Sequence, residues 1–138
     1  MESEIYAAFI LQGRDLDPEG VTAAVGIQPS ETWRSGDLVS DRAIIRRKLD
    51  GWKVDSSLPL SSSLEEHVEN VLGRLRPGWL PLVDFCTENQ AKLYCVVRIY
   101  GGARPPIIFN RGILRDVVEL SAAIEIDLYV FPRRKRNG

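Results

Sequence analysis

The chain has little of what most enzymes work with. Its 138 residues include one histidine, His67, two cysteines, Cys86 and Cys95, and a single methionine. A zinc site needs several His, Cys or carboxylate ligands converging on one point, and these scattered residues do not supply one. His-dependent nucleophilic catalysis would rest on His67 alone, expected on the exposed flank of a helix, with no glycine-framed serine beside it. Gly101-Gly102 lacks the Gly-Lys-Ser/Thr continuation of a phosphate loop, and no dinucleotide fingerprint occurs, so no cofactor is expected. No apolar run nears the roughly 20 residues that cross a bilayer. The acidic start, Met1-Glu2-Ser3-Glu4, is unlike a secretory leader, and a cytoplasmic location is the expectation. Two cysteines read as small core residues rather than a disulfide suit that compartment.

Charge of one sign is also missing. Lys and Arg number 18 against 19 Asp and Glu, a net charge of -1, which argues against nucleic acid or an anionic membrane as partner. The exception is local: Arg133, Arg134, Lys135 and Arg136 form a basic run after Pro132. Residues 132–138 are therefore expected to be a disordered, solvated tail behind a single domain over residues 1–131.

What is present is a pattern of strands and capped helices. Ser63-Leu64-Glu65-Glu66 is a capping box, and Leu64, Val68, Val71, Leu72 and Leu75 follow at helical spacing. Arg76-Pro77-Gly78 breaks that helix, and Trp79, Leu82, Val83 and Cys86 resume it. Upstream, Ile5 to Leu11 reads as an interior strand, and Asp17-Pro18-Glu19 starts a short helix that Gly26 ends. Asp50-Gly51 reads as a two-residue hairpin turn between Ala43–Leu49 and Trp52–Asp55. Downstream come a strand over Leu93 to Tyr100, a short edge run from Ile107 to Phe109, and a helix capped by Asn110 with Ile113, Leu114, Val117 and Val118 inward. A closing strand, Ile124 to Phe131, places Ile124, Ile126, Leu128 and Val130 inward. Two strand-helix-strand halves imply an α+β domain, a ferredoxin-like two-layer sandwich. Its mostly antiparallel sheet would carry helices on one face and an extra β-hairpin.

Two groups of residues are candidates for binding. Trp33, Arg34, Arg42, Arg46 and Trp52 fall in one loop and hairpin; they form either an aromatic and guanidinium pocket for an anionic or planar ligand, or packing with solvated arginines. Tyr94, Arg98, Tyr100, Tyr129 and Phe131 would share the outer sheet face, where a protein partner, a second copy of the chain or cover by the Asp50-Gly51 hairpin explains the aromatics better than RNA does, because Glu125 and Asp127 lie among them. Two groups of acids bear on carboxylate catalysis: Glu65, Glu66 and Glu69 on the solvated side of the central helix, and Glu125 with Asp127, whose shared strand face could raise a pKa if it were covered; the solvent-exposed reading is preferred for both.

Across the chain, Leu16-Asp17-Pro18-Glu19, Gly26-Ile27-Gln28-Pro29-Ser30, Thr32-Trp33-Arg34, Gly36-Asp37, Gly51-Trp52 and Ile126-Asp127-Leu128-Tyr129-Val130 follow in an order that resembles a bacterial family catalogued as domain of unknown function 4279. The resemblance implies a small single-domain protein and carries over no activity or catalytic residue. The expectation is a non-catalytic binding or interaction module, with an immunity-type role as one form. A small-ligand sensor is the alternative, and a carboxylate enzyme the least favoured.

Overall fold

The computed structural model describes residues 3–42 and 44–132. Its strands are β1 (Ser3–Gly13), β2 (Glu31–Trp33), β3 (Asp50–Asp55), β4 (Gln90–Tyr100) and β5 (Ala123–Phe131). Its helices are α1 (Pro18–Val25), α2 (Leu64–Leu75), α3 (Trp79–Glu88) and α4 (Arg111–Glu119), with a 3₁₀ turn, Arg76–Gly78, joining α2 to α3. The strands form one open sheet in the order β2-β3-β1-β4-β5. Three neighbouring pairs are antiparallel and the last, β4 with β5, is parallel.

The helices form where their ends are chemically marked. In α2 the Ser63 hydroxyl accepts from the Glu66 N–H at 3.2 Å while the Glu66 carboxylate accepts from the Ser63 N–H at 3.0 Å. Two donors that the helix leaves open are thus satisfied at its first turn. Asn110 satisfies one such donor for α4, accepting from the Ile113 N–H at 3.0 Å. The apolar stripe of α2, Leu64, Val68, Val71, Leu72 and Leu75, is buried as its spacing predicts, and Trp79, Leu82 and Cys86 continue it across the break. These residues meet Phe9, Leu11, Trp52, Val54, Leu93, Cys95 and Val97 in one core on a single face of the sheet. Among the described residues no helix lies over the opposite face.

Several sequence expectations need correction. Asp50-Gly51 is no turn: both residues lie in β3, opposite Gly13 and Gln12 of β1. Residues 44–49 form no strand and carry a single bridge, Leu38 with Arg46, so the extra hairpin is absent; Ala43 lies outside the described residues. The other partner of β3, besides β1, is the three-residue β2, and residues 34–42 and 44–49 between them are mostly exposed and irregular. Ile107 to Phe109 is irregular rather than an edge strand. Both flanks of β4 are already taken by β1 and β5, and Pro105-Pro106 offers no donors. His67 is buried rather than exposed, its Nδ1 2.7 Å from the Ser56 Oγ. Leu114 and Val118 are exposed, because α4 turns only Ile113 and Val117 into the core. Ile126, Leu128 and Val130 of β5, expected inward, are exposed as well, since no helix among the described residues covers that end of the strand. The basic run at 133–136 lies outside the described residues.

Candidate functional site

The face of the sheet that the helices leave uncovered is built by strand alternation. On β1 the uncovered residues are Tyr6, Ala8, Ile10 and Gln12; on β3, Gly51, Lys53 and Asp55; on β4, Lys92, Tyr94, Val96 and Arg98. Register aligns them into rows across the sheet. One row runs Glu31, Lys53, Ile10, Lys92; the next runs Asp55, Ala8, Tyr94, Glu125. Ala8, Ile10 and Val96 form an apolar floor that is buried with no helix above it. Long polar side chains cover it instead, their stems lying on apolar surface and their charges reaching water.

Those charges are arranged in pairs. Lys53 sits 3.5 Å from Asp55 and 3.9 Å from Glu31, Arg47 is 3.8 Å from Glu31, and Lys92 is 3.0 Å from Glu125. The Tyr6 hydroxyl donates to Asp55 and the Tyr94 hydroxyl to Asp127. Burial, then these hydrogen bonds and the adjacent negative charge, raise both tyrosine pKa values well above the ordinary phenol. Neither phenol is a nucleophile or base at neutral pH. Between the rows lies a recess of 340 Å³ lined by Ile10, Gln12, Glu31, Trp33, Arg47, Lys53, Lys92, Tyr94, Glu125 and Asp127. Its three cations, Arg47, Lys53 and Lys92, balance its three carboxylates, so a polyanion finds no field to hold it.

Its β2 end is rich in unused donors. The Trp33 indole lies over Gly51 with the Arg47 guanidinium 4.1 Å from its ring centre, and among the described residues neither the Trp33 Nε1–H nor the Arg47 Nε–H has a hydrogen-bond partner. The Lys53 and Arg47 ion pairs, at 3.5 to 3.9 Å, are too long to be good hydrogen bonds. Its β5 end presents acceptors, Glu125 and Asp127.

The two groups of candidate residues fare differently. Trp33, Arg34, Arg42, Arg46 and Trp52 do not converge. Trp33 lies on the uncovered face and Trp52 in the core, its Nε1–H donating to Thr22 at 3.0 Å. Arg34 reaches the start of α1, bonded to Asp17 at 3.1 Å and to Glu19, while Arg46 donates to the Gly36 carbonyl at 2.8 Å and Arg42 is exposed in the loop. Tyr94, Arg98, Tyr100, Tyr129 and Phe131 do share the uncovered face. Arg98 lies 5.6 Å from the Tyr129 ring centre, and Tyr100 stacks on Phe131 with centroids 4.8 Å apart. Tyr6, Glu31, Arg47, Lys53, Asp55 and Lys92 escaped sequence reasoning. The signal was the alternation in Trp52-Lys53-Val54-Asp55 and in Lys92-Leu93-Tyr94-Cys95, whose polar members define the second face.

Elsewhere, no cluster of three or more His, Cys, Asp or Glu among the described residues is placed to hold a metal ion. No helix among them is long and apolar enough to cross a membrane. A family model described as a domain of unknown function, DUF4279, matches residues 3–131. The chain belongs to the DUF4279 family. The match spans all five strands and stops before the basic tail, and it includes every residue lining the recess. No curated protein and no solved structure matches this DUF4279 chain.

Proposed function

We propose that this DUF4279 domain is a non-catalytic binding module that takes a protein partner on the uncovered face of its sheet, with the recess between Trp33 and Asp127 as the anchor. One observation carries this reading: among the described residues, the apolar floor is covered by balanced charges and aromatic rings alone, and a buried indole N–H is left unpartnered. Buried unpaired donors are costly within a fold, and a partner's carbonyl or carboxylate satisfies them. The non-catalytic part of the proposal is supported by placement. His67 lies in the helical layer, Cys86 and Cys95 are buried thiols pushed up to about 12 by burial, and the tyrosines of the face are held protonated. Two free buried thiols also suit a cytoplasmic setting.

The finer architecture belongs to the same proposal. The run β1-α1-β2-β3-α2/α3-β4 with spatial order β2-β3-β1-β4 and antiparallel neighbours supports a ferredoxin-like unit, to which α4 and β5 add a parallel edge. A small-ligand sensor is the second reading, favoured by the recess itself, whose size and mixed donors and acceptors suit a zwitterion.

The test is capture from host lysate on the immobilised chain, comparing wild type with the Lys53→Ala/Lys92→Ala double variant and with Leu80→Glu on the helical layer. A partner retained by wild type and Leu80→Glu but lost by the double variant, whose melting temperature is unchanged, supports the proposal. A partner lost only by Leu80→Glu moves recognition to the helices, and a small retained mass without any protein favours the sensor.

A further inference from the structure

The two edges of the sheet are guarded very differently. β2 is three residues long, too short to template another strand. β5 runs for nine residues, Ala123–Phe131, with no proline, lysine or glycine, and its outer edge pairs with nothing among the described residues. Its two acids do not shield that edge, because both are drawn back over the sheet: Glu125 to Lys92 at 3.0 Å, Asp127 to the Tyr94 hydroxyl. On the helix side, Ile126, Leu128 and Val130 are 37%, 53% and 68% exposed in sequence along the strand. An apolar edge of this length is one that folded proteins rarely leave open.

We propose that β5 pairs with β5 of a second copy, antiparallel, about a twofold axis at Leu128. The sequence chooses that register. With the axis at Leu128, Leu128 meets its own copy and Ile126 meets Val130 on the helix side. On the other side Asp127 meets Tyr129 and Glu125 meets Phe131. Apolar residues oppose apolar ones, and no acid faces an acid. An axis at Asp127 would oppose Asp127 to itself, and one at Ile126 would oppose Glu125 to Asp127. An axis at Tyr129 avoids both clashes but overlaps only residues 127–131, against 125–131 for Leu128. The twofold is perpendicular to the sheet, so the faces match and two five-stranded sheets become one of ten strands. Both recesses then open on the same side, and the partner's Tyr129 adjoins the Asp127 wall of each.

The full chain should sediment as a dimer, and Leu128→Lys should halve its mass while its circular dichroism spectrum stays that of a folded protein. A cysteine scan makes the test independent of that variant's folding. Either kind of antiparallel pair brings the axial Cα atoms to about 4.5–5.5 Å, within disulfide range. Leu128→Cys should therefore link two chains on mild oxidation, whereas Ile126→Cys, four residues from its own copy's nearest point in the ladder, should not. Cys86 and Cys95 are buried and stay silent. A wild-type monomer at every concentration overturns the proposal, as does a dimer that survives Leu128→Lys or links through Ile126→Cys in preference to Leu128→Cys.

Discussion

The indole of Trp33 lies so close across the backbone of Gly51 that a methyl group added at Gly51 would meet its Cε2 at 2.0 Å. The Arg47 guanidinium also lies over this ring, 4.1 Å from its centre, so the tryptophan packs against both a strand and a guanidinium. Gly51→Ala should force the ring out of this slot. The expected cost is about 1–3 kcal/mol, typical of overpacking a tight site, with a red shift in tryptophan emission. Denaturant unfolding and fluorescence check it; an unchanged midpoint and an unchanged spectrum would show that the ring relaxes freely.

The other tryptophan of the region should answer differently. Trp52 is fully buried, stands edge-on to Phe9 at 6.4 Å and donates to Thr22, whereas Trp33 Nε1 has no partner among the described residues. Trp52→Phe removes a hydrogen bond and opens a cavity, at a cost of about 2–4 kcal/mol. Trp33→Phe removes no hydrogen bond and loses only ring contacts with Gly51 and Arg47, so it should cost about 1 kcal/mol less than Trp52→Phe. Unfolding free energies for the two variants decide it, and equal costs would mean that the Trp33 N–H is satisfied after all.

That contrast also shows what the sequence carried and what it did not. The capping box at Ser63, the break at Pro77 and the stripe from Leu64 to Cys86 are local signals, decided within a few residues, and the structure follows them. Asp50-Gly51 misled because the same dipeptide that favours a turn also serves where a strand needs a residue without a side chain; here the close approach of Trp33 requires it, and its φ is not positive. Trp33 and Trp52 looked like one pocket because they are near in sequence, yet β-sheet register sends them to opposite faces. The exposure of Ile126, Leu128 and Val130 was equally illegible: alternation marks an apolar face but does not say whether anything covers it. The shared face of Tyr94, Tyr100, Tyr129 and Phe131 was legible because each strand alternates cleanly and neighbouring strands pair residues of the same face.

His67 predicts a dependence on pH. Burial holds its pKa below the ordinary value of 6.5, against smaller opposing pulls from the Pro59 carbonyl and Glu66. In the unfolded chain the ring takes up its proton at the ordinary value, so the fold, which prefers the neutral ring, is fully supported above it. As pH falls below about 6.5 the unfolded state gains the proton first and stability declines, until the folded ring titrates too. The slope attributable to this one group is at most about 1.4 kcal/mol per pH unit. His67→Phe should flatten the difference between pH 7 and pH 5 in urea unfolding; the same decline in wild type and variant would assign it to other groups.

The uncovered sheet face is the surface proposed to meet a partner, and lysine reactivity reads that face directly. Lys53 and Lys92 line the recess, while Lys48 lies in the exposed loop and serves as an internal reference. Acetylation rates measured by peptide mass spectrometry, on the free chain and on its captured complex, are predicted to fall at Lys53 and Lys92 and to hold at Lys48. Unchanged rates at Lys53 and Lys92 in the complex would contradict the account and leave the face as a solvated side of the fold.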